Sequence, residues 1–174
     1  VDEVIPVIYR AGIVRHNEEI HGVLIKGMPS EQLPFSNSDS TSLAVSIPRR
    51  LSDIIGLGEG DKTLTYFIGD KVRARQFNVV SVYDSMLETD ERLVVYADLK
   101  DIQRLNGWNE NQVSAMEVML DKDCRDEAMI SQITDEVGTA LYAYTDEDGD
   151  GWSNSVYSGD NTLALPYDIS VQGQ

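Results

Sequence analysis

Alternation of apolar and polar residues dominates the first part of the chain. In "VIPVIYRAGIVRHNEEIHGVLIKG" apolar side chains recur at every second position on both sides of the polar turn "HNEE". That pattern predicts two or three strands joined by a hairpin. "SLAVSIP" predicts a short strand, and Pro48 at its end suits the first turn of a helix whose apolar face is Leu51, Ile54 and Ile55. "TLTYFIG", "RARQFNVVSVYDS" and "ERLVVYA" are rich in β-branched and aromatic residues and predict three further strands. The period then changes. Leu99, Ile102 and Leu105 recur at helical spacing behind Asp98, whose short carboxylate suits a helix N-cap.

In "QVSAMEVML" both alternating faces are largely apolar, which predicts a strand buried on both sides. A helix is predicted from about Cys124 to Val137, with Met129, Ile130, Ile133 and Val137 on one side and acids on the other. "TALYAYT" predicts another strand. "PFSNSDSTS", residues 34–42, has the composition of a loop. The expected class is α+β, mostly strand, with three short helices.

Composition narrows what such a fold can do. The chain has 174 residues, 41% hydrophobic, enough for one domain or two small subdomains with real cores. Thirty Asp and Glu stand against 14 Lys and Arg, a formal net charge of -16. A surface this acidic repels phosphate backbones and anionic lipid, so nucleic acid is not an expected partner. The single cysteine, Cys124, excludes an internal disulfide. No apolar run approaches the roughly 18 residues of a membrane helix. The chain opens at Val1 directly on a strand-like run, so it reads as a piece of a larger protein, in which a membrane anchor would not be visible here.

Four features carry candidate chemistry. "GLGEGDKT", Gly56 to Thr63, is one residue away from the phosphate-cradling pattern G-x-x-x-x-G-K-[ST]. Asp61 stands where the second glycine is required, and the order is helix, loop, strand instead of strand, loop, helix. The expected role is therefore structural: Gly56 or Gly58 stops a helix and Gly60-Asp61 turns the chain. No cofactor is expected. Asp146, Asp148, Asp150 and Gly151 match the start of a calcium loop, but Tyr157 replaces the closing Glu, leaving a weak alternative Ca²⁺ site. His16 and His21 flank a turn and could face each other across the hairpin; two imidazoles do not complete a zinc site. Lys71, Arg73 and Arg75 share one face of a strand, either to dock an acidic partner or to protect a sheet edge. No G-x-S-x-G elbow surrounds a serine, and nothing singles out a carboxylate pair, so an enzyme is not expected.

The order of segments adds a family resemblance. "IHGVLIKGM", "LAVSIPRRLSDIIGLGEGDKTLTYFI", "RARQFNVVSVYDSMLETDERLVVYADLKDIQRLNGW" and "VSAMEVMLD" follow one another. This succession resembles the large periplasmic domain of ABC transporter permeases of the lipoprotein-releasing type, within the MacB/FtsX-like permease superfamily. Ser46–Phe67 reproduces its "strand, short helix, L-x-x-G-D, strand" unit, and Val79–Leu105 its "V-x-x-V-Y-x-S … D-L-x-x-I-Q-R-L" segment. Two departures stand out: the excursion from Met28 to Ser42 is short, and residues 139–174 match nothing in the family.

The resemblance implies a MacB-like architecture. Residues 1–28 plus 109–145 would form an α+β subdomain, residues 42–108 an inserted mostly-β subdomain, and 146–174 an unassigned tail. It further implies a periplasmic domain of an inner-membrane protein. Such a domain relays ATP-driven motion and guides lipoprotein, or another envelope substrate, toward a periplasmic carrier. The implied partners are a separate ATPase subunit, a second permease subunit, and the lipoprotein or carrier. A MacB-like efflux or FtsX-like signalling permease is a close alternative. A secreted calcium-dependent binding or adhesion module is an alternative of a different class.

Overall fold

The computed structural model describes residues 2–35, 43–67, 72–84, 93–120, 126–145 and 171–172. Contacts divide the chain into two units, Pro6–Ser114 and Val1–Ile5 with Ala115–Gln174.

The first of these is built from strands β1 (Glu3–His16, from Pro6 onward), β2 (Glu19–Met28), β3 (Leu43–Pro48), β4 (Lys62–Phe67), β5 (Arg73–Tyr83) and β6 (Val94–Asp98). Helix α1 (Arg49–Ile55) follows β3, helix α2 (Leu99–Asn106) follows β6, and a single 3₁₀ turn occupies Ser30–Gln32. The strands lie in the order β2-β6-β3-β5-β4-β1, and β1 pairs again with β2. The sheet therefore closes into a ring. The pairs β2–β6 and β3–β5 are parallel; β1–β2, β1–β4, β3–β6 and β4–β5 are antiparallel.

Closure rests on the long β1–β2 hairpin, paired from Ile8↔Gly27 to His16↔Glu19 around the two-residue loop Asn17-Glu18. Two-residue hairpin loops demand positive φ, and Asn17 supplies it at φ 53°. Inside the ring, Val14, Val23, Ile25, Val45, Ile47, Phe67, Phe77 and Val79 belong to one core. Gly12 is the narrow point. A Cβ there would stand 2.7 Å from Ile25 Cδ1 and 3.3 Å from Thr65 Cγ2, so any larger residue requires those side chains to shift.

Both helices cover this core. Helix α1 buries Leu51 and Ile55 and ends at Gly56, which adopts φ 68° and returns its N–H to the Ser52 carbonyl. Helix α2 begins at Asp98, whose carboxylate accepts from the Lys100 N–H, and buries Leu99, Ile102 and Leu105 as its spacing predicts. It lies close on β2, where a Cβ on Gly27 would meet Ile102 Cγ1 at 3.1 Å and the Leu99 Cα at 3.4 Å.

The other unit contains β7 (Ala115–Met119), α3 (Glu127–Thr145) and β8 (Val171–Gln172). Strand β8 runs parallel to β7, Val118 opposite Val171, and the Asp2 N–H donates to the Met119 carbonyl at 2.8 Å. Glu117, Val118 and Leu120 are buried.

The class, α+β and mostly strand, is as expected; several details differ. "TALYAYT" is not a strand: α3 continues through Gly138 to Thr145. Ala, Leu and Tyr propagate an existing helix cheaply, so a helix already running past Val137 captures them. Pro48 is the last residue of β3 and the N-cap of α1, not a residue of its first turn. Ile54 stays 42% exposed, because the seven residues of α1 present only Leu51 and Ile55 to the core. Met116 is 52% exposed, so β7 is not buried on both faces. The contacts also divide the chain at different places from residues 28, 42 and 108. Residues 6–28 lie with β3–β6, since β1 and β2 complete that ring through β4 and β6.

Candidate functional site

The glycine loop is occupied by its own backbone. The Gly58 N–H donates to Asp61 Oδ2 at 2.8 Å, the Gly60 N–H to the Val79 carbonyl at 2.7 Å, and the Asp61 N–H to the Gly58 carbonyl at 3.1 Å. Gly56 and Leu57 both donate to the Ser52 carbonyl. A phosphate site needs such N–H groups pointing at an empty cradle. Here the carboxylate of Asp61 holds the position an anion would take. The loop instead caps α1 at Gly56 (φ 68°), turns at Gly60 (φ 88°) and leads into β4.

The hairpin places His16 and His21 on one face of the sheet but not opposite each other: His16 pairs with Glu19 and His21 with Val14. His21 Nε2 stands 3.8 Å from Glu19 Oε2, and among the described residues no three His, Cys, Asp or Glu cluster as metal ligands. Cys124 and the loop Asp146, Asp148, Asp150 lie outside the described residues, as does Lys71.

Arg73 and Arg75 are placed at the start of β5, a strand between β3 and β4. Arg73–Gln76 pair with β4 alone among the described residues, while pairing with β3 begins at Phe77. Edge protection therefore applies to that half of the strand only. Arg73 Nη1 donates to the Leu105 carbonyl at 3.1 Å, and Arg10 donates to the Asn106 side chain while lying 5.0 Å over the Phe67 ring. Two guanidinium groups thus converge on the negative end of α2. Burial, and then the charge of Arg73, hold the Arg10 guanidinium below its ordinary range. Sequence spacing identifies Arg73; it does not reveal Arg10, an inward-facing cation on the otherwise apolar face of β1.

One concavity is formed by the outer wall of the ring beneath the 3₁₀ turn. It measures about 320 Å³ and is lined by Met28, Leu33, Pro34, Ser46, Tyr83 and Tyr96, with Lys26 and Gln32 beside them. The two tyrosine rings pack at 5.1 Å, and the Tyr83 hydroxyl donates to the Val94 carbonyl at 2.7 Å. Ser46 is fully buried, and its hydroxyl has no hydrogen-bond partner. Nothing in the local sequence marks this place. Lys26, Ser46, Tyr83 and Tyr96 come from four strands brought together by pairing across the ring.

No family model matches the sequence, and no curated protein matches it. Solved structures are similar to it, among them the following three. The extracellular domain of the noncanonic ABC-type transporter YknZ from Gram-positive bacteria shares 16% identity at a TM-score of 0.44; the match covers 63% of this chain and 60% of that one. The periplasmic region of MacB from Actinobacillus actinomycetemcomitans shares 12% at 0.43, over 79% and 68% of the two chains. A domain described as that of a permease protein from Porphyromonas gingivalis shares 13% at 0.39, over 78% and 70%. The chain thus spans less than two thirds of the first and slightly more of the others. Likeness of this depth does not by itself assign a family or a function.

Proposed function

We propose that this chain is the extracytoplasmic domain of an ABC transporter permease subunit, in which it relays motion driven by ATP hydrolysis elsewhere and guides an envelope substrate toward a carrier. The observation that carries this is the ordered succession of segments resembling such domains. In the structure they are consecutive elements of one closed sheet: β2 ending in Lys26-Gly27, then β3–α1–turn–β4, β5, and β6–α2. A closed ring with helices packed on its core moves as a stiff body, which suits a relay. Its glycine loop spends its N–H groups internally, which accords with the proposal that ATP is hydrolysed by a separate subunit. We propose no catalytic role for the chain. Lipoprotein is the substrate class favoured by the resemblance, with a second permease subunit as partner.

The test uses the full protein that carries this chain. Ala74 is exposed on β5; Ala74→Cys in a background with Cys124→Ser and any cysteine outside this chain also replaced by Ser offers a single thiol. A membrane-impermeant maleimide should label it in intact cells, and an ATPase subunit should co-purify with the protein. Labelling only after lysis, or purification with no ATPase, would overturn the proposal. Pull-down against envelope lipoproteins and their carriers then tests the substrate class.

A further inference from the structure

One wall of the ring is apolar and cationic, on a chain whose net charge is -16. Register sets its outward rows. Ile20 on β2 pairs with Arg15 on β1, Arg15 with Leu64 on β4, and Leu64 with Gln76 on β5. The next outward row runs Gly22, Ile13, Tyr66, Ala74. The alternate positions of the same strands place Val14, Val23, Phe67 and Phe77 in the core, so both rows face away from it. Ile20 is 59% and Leu64 39% exposed, and a Cβ on Gly22 would meet nothing within 4 Å. With strands about 4.8 Å apart and rows about 7 Å apart, the patch covers on the order of 300 Å². Exposed apolar patches of that size are often binding surfaces.

Charge narrows what covers it. The chain carries 30 Asp and Glu, yet none stands at an outward position where β1, β2, β4 and β5 pair with one another. Arg15 sits within the first row, and Lys62 points outward two residues before Leu64. Both are exposed, and neither has an ion pair among the described residues. Two such walls repel each other, so a second copy does not fit face to face, and the net charge of -16 opposes an anionic membrane. The backbone groups of these strands are spent in their ladders, so an occupant must bring its own hydrogen bonds already made. A helix does so, and a cylinder about 10 Å across needs only a strip of the convex wall. We infer that this wall docks an amphipathic helix of a partner protein, with its apolar stripe on Ile13, Ile20, Leu64 and Tyr66 and its flanking carboxylates on Arg15 and Lys62. An area this small makes the contact weak and reversible. Docking here is independent of the permease role.

The experiment is fluorescence anisotropy of a labelled helical peptide titrated with the full protein that carries this chain. A peptide of about 14 residues spans the roughly 20 Å of four strands. It carries a leucine stripe flanked by glutamates, and a matched peptide has glutamines in their place. The glutamate peptide should bind about 3- to 10-fold more tightly, the ratio of two exposed ion pairs. The net charge of the chain alone predicts the reverse order. Arg15→Gln together with Lys62→Gln should erase that preference, and Leu64→Thr should weaken both peptides alike. All three positions are exposed, so the variants should melt with the parent protein, which separates lost docking from lost folding. Absence of saturable binding by either peptide, or a glutamate preference that survives the double substitution, would overturn the assignment. So would flotation with phosphatidylglycerol vesicles, or dimer formation in sedimentation, that the double substitution abolishes, since the wall would then belong to a membrane or to a second copy.

Discussion

Gly56 and Gly12 impose two different demands on the chain. Gly56 stands at φ 68° with open space around it, so a side chain there meets strain in the backbone rather than a clash. Gly56→Ala should cost about 1 kcal/mol in urea unfolding, with an unchanged m-value. Gly12→Ala instead pushes a methyl against Ile25, Thr65 and Phe67 and should cost about 1–3 kcal/mol as an overpacked core. The first glycine is legible in the sequence, because a helix pattern stops there and a strand pattern follows. The second is not, because its reason lies in two strands more than ten residues away on either side of the ring. Asp61 is intermediate. Its mismatch with a phosphate loop can be read directly, but its bond to the Gly58 N–H needs coordinates.

Among the elements, α2 is the most completely specified. Its cap and its spacing are local and appear as expected, and its stop at Gly107 (φ 71°) is local too. Its seat is not local. Gly27 on β2 lets Leu99 and Ile102 approach, and a Cβ there would crowd Ile102 at Cγ1 (3.1 Å) and at Cβ (3.3 Å), an atom fixed to the helix backbone. Gly27→Ala should therefore cost about 1–3 kcal/mol and raise hydrogen exchange selectively in α2. Ile102→Ala, at a fully buried site, should cost about 2–5 kcal/mol by the same denaturation assay. Helix α3 shows where local signals mislead. "TALYAYT" alternates well enough for a strand, yet it is contiguous with a helix that needs no new nucleus to continue.

For the whole molecule, closure of the ring was beyond the sequence. The strands are visible one by one, but the parallel pairs β2–β6 and β3–β5 join segments separated by long stretches of chain, and no local pattern encodes which strands meet. The same is true of the Tyr83–Tyr96 cavity, which exists only once those pairs form. Charge, by contrast, acts on the chain as a whole and is read at once. At a net charge of -16 the folded state repels itself. Raising sodium chloride from about 10 to 150 mM shortens the Debye length to about 8 Å. It should raise the melting temperature by about 2–4 °C, the equivalent of about 1 kcal/mol. No change in scanning calorimetry would mean that the acids are already spaced beyond each other's reach.

The ends of the ring unit meet. The Ser114 N–H donates to the Val7 carbonyl at 3.1 Å, and the Tyr9 N–H donates to Ser114 Oγ at 2.7 Å. In mechanical terms these two bonds are a clasp. Tension applied through the chain at residues 6 and 114 loads the clasp first and leaves the strand ladders behind it unstretched. Under an optical trap gripping those two points, the unit should open by unzipping from Val7 and Ser114, at lower force than when pulled across the ring, for example between residues 18 and 114. A protein built this way passes load along its chain through the clasp, and the fold hung on that chain stays intact only while the clasp holds.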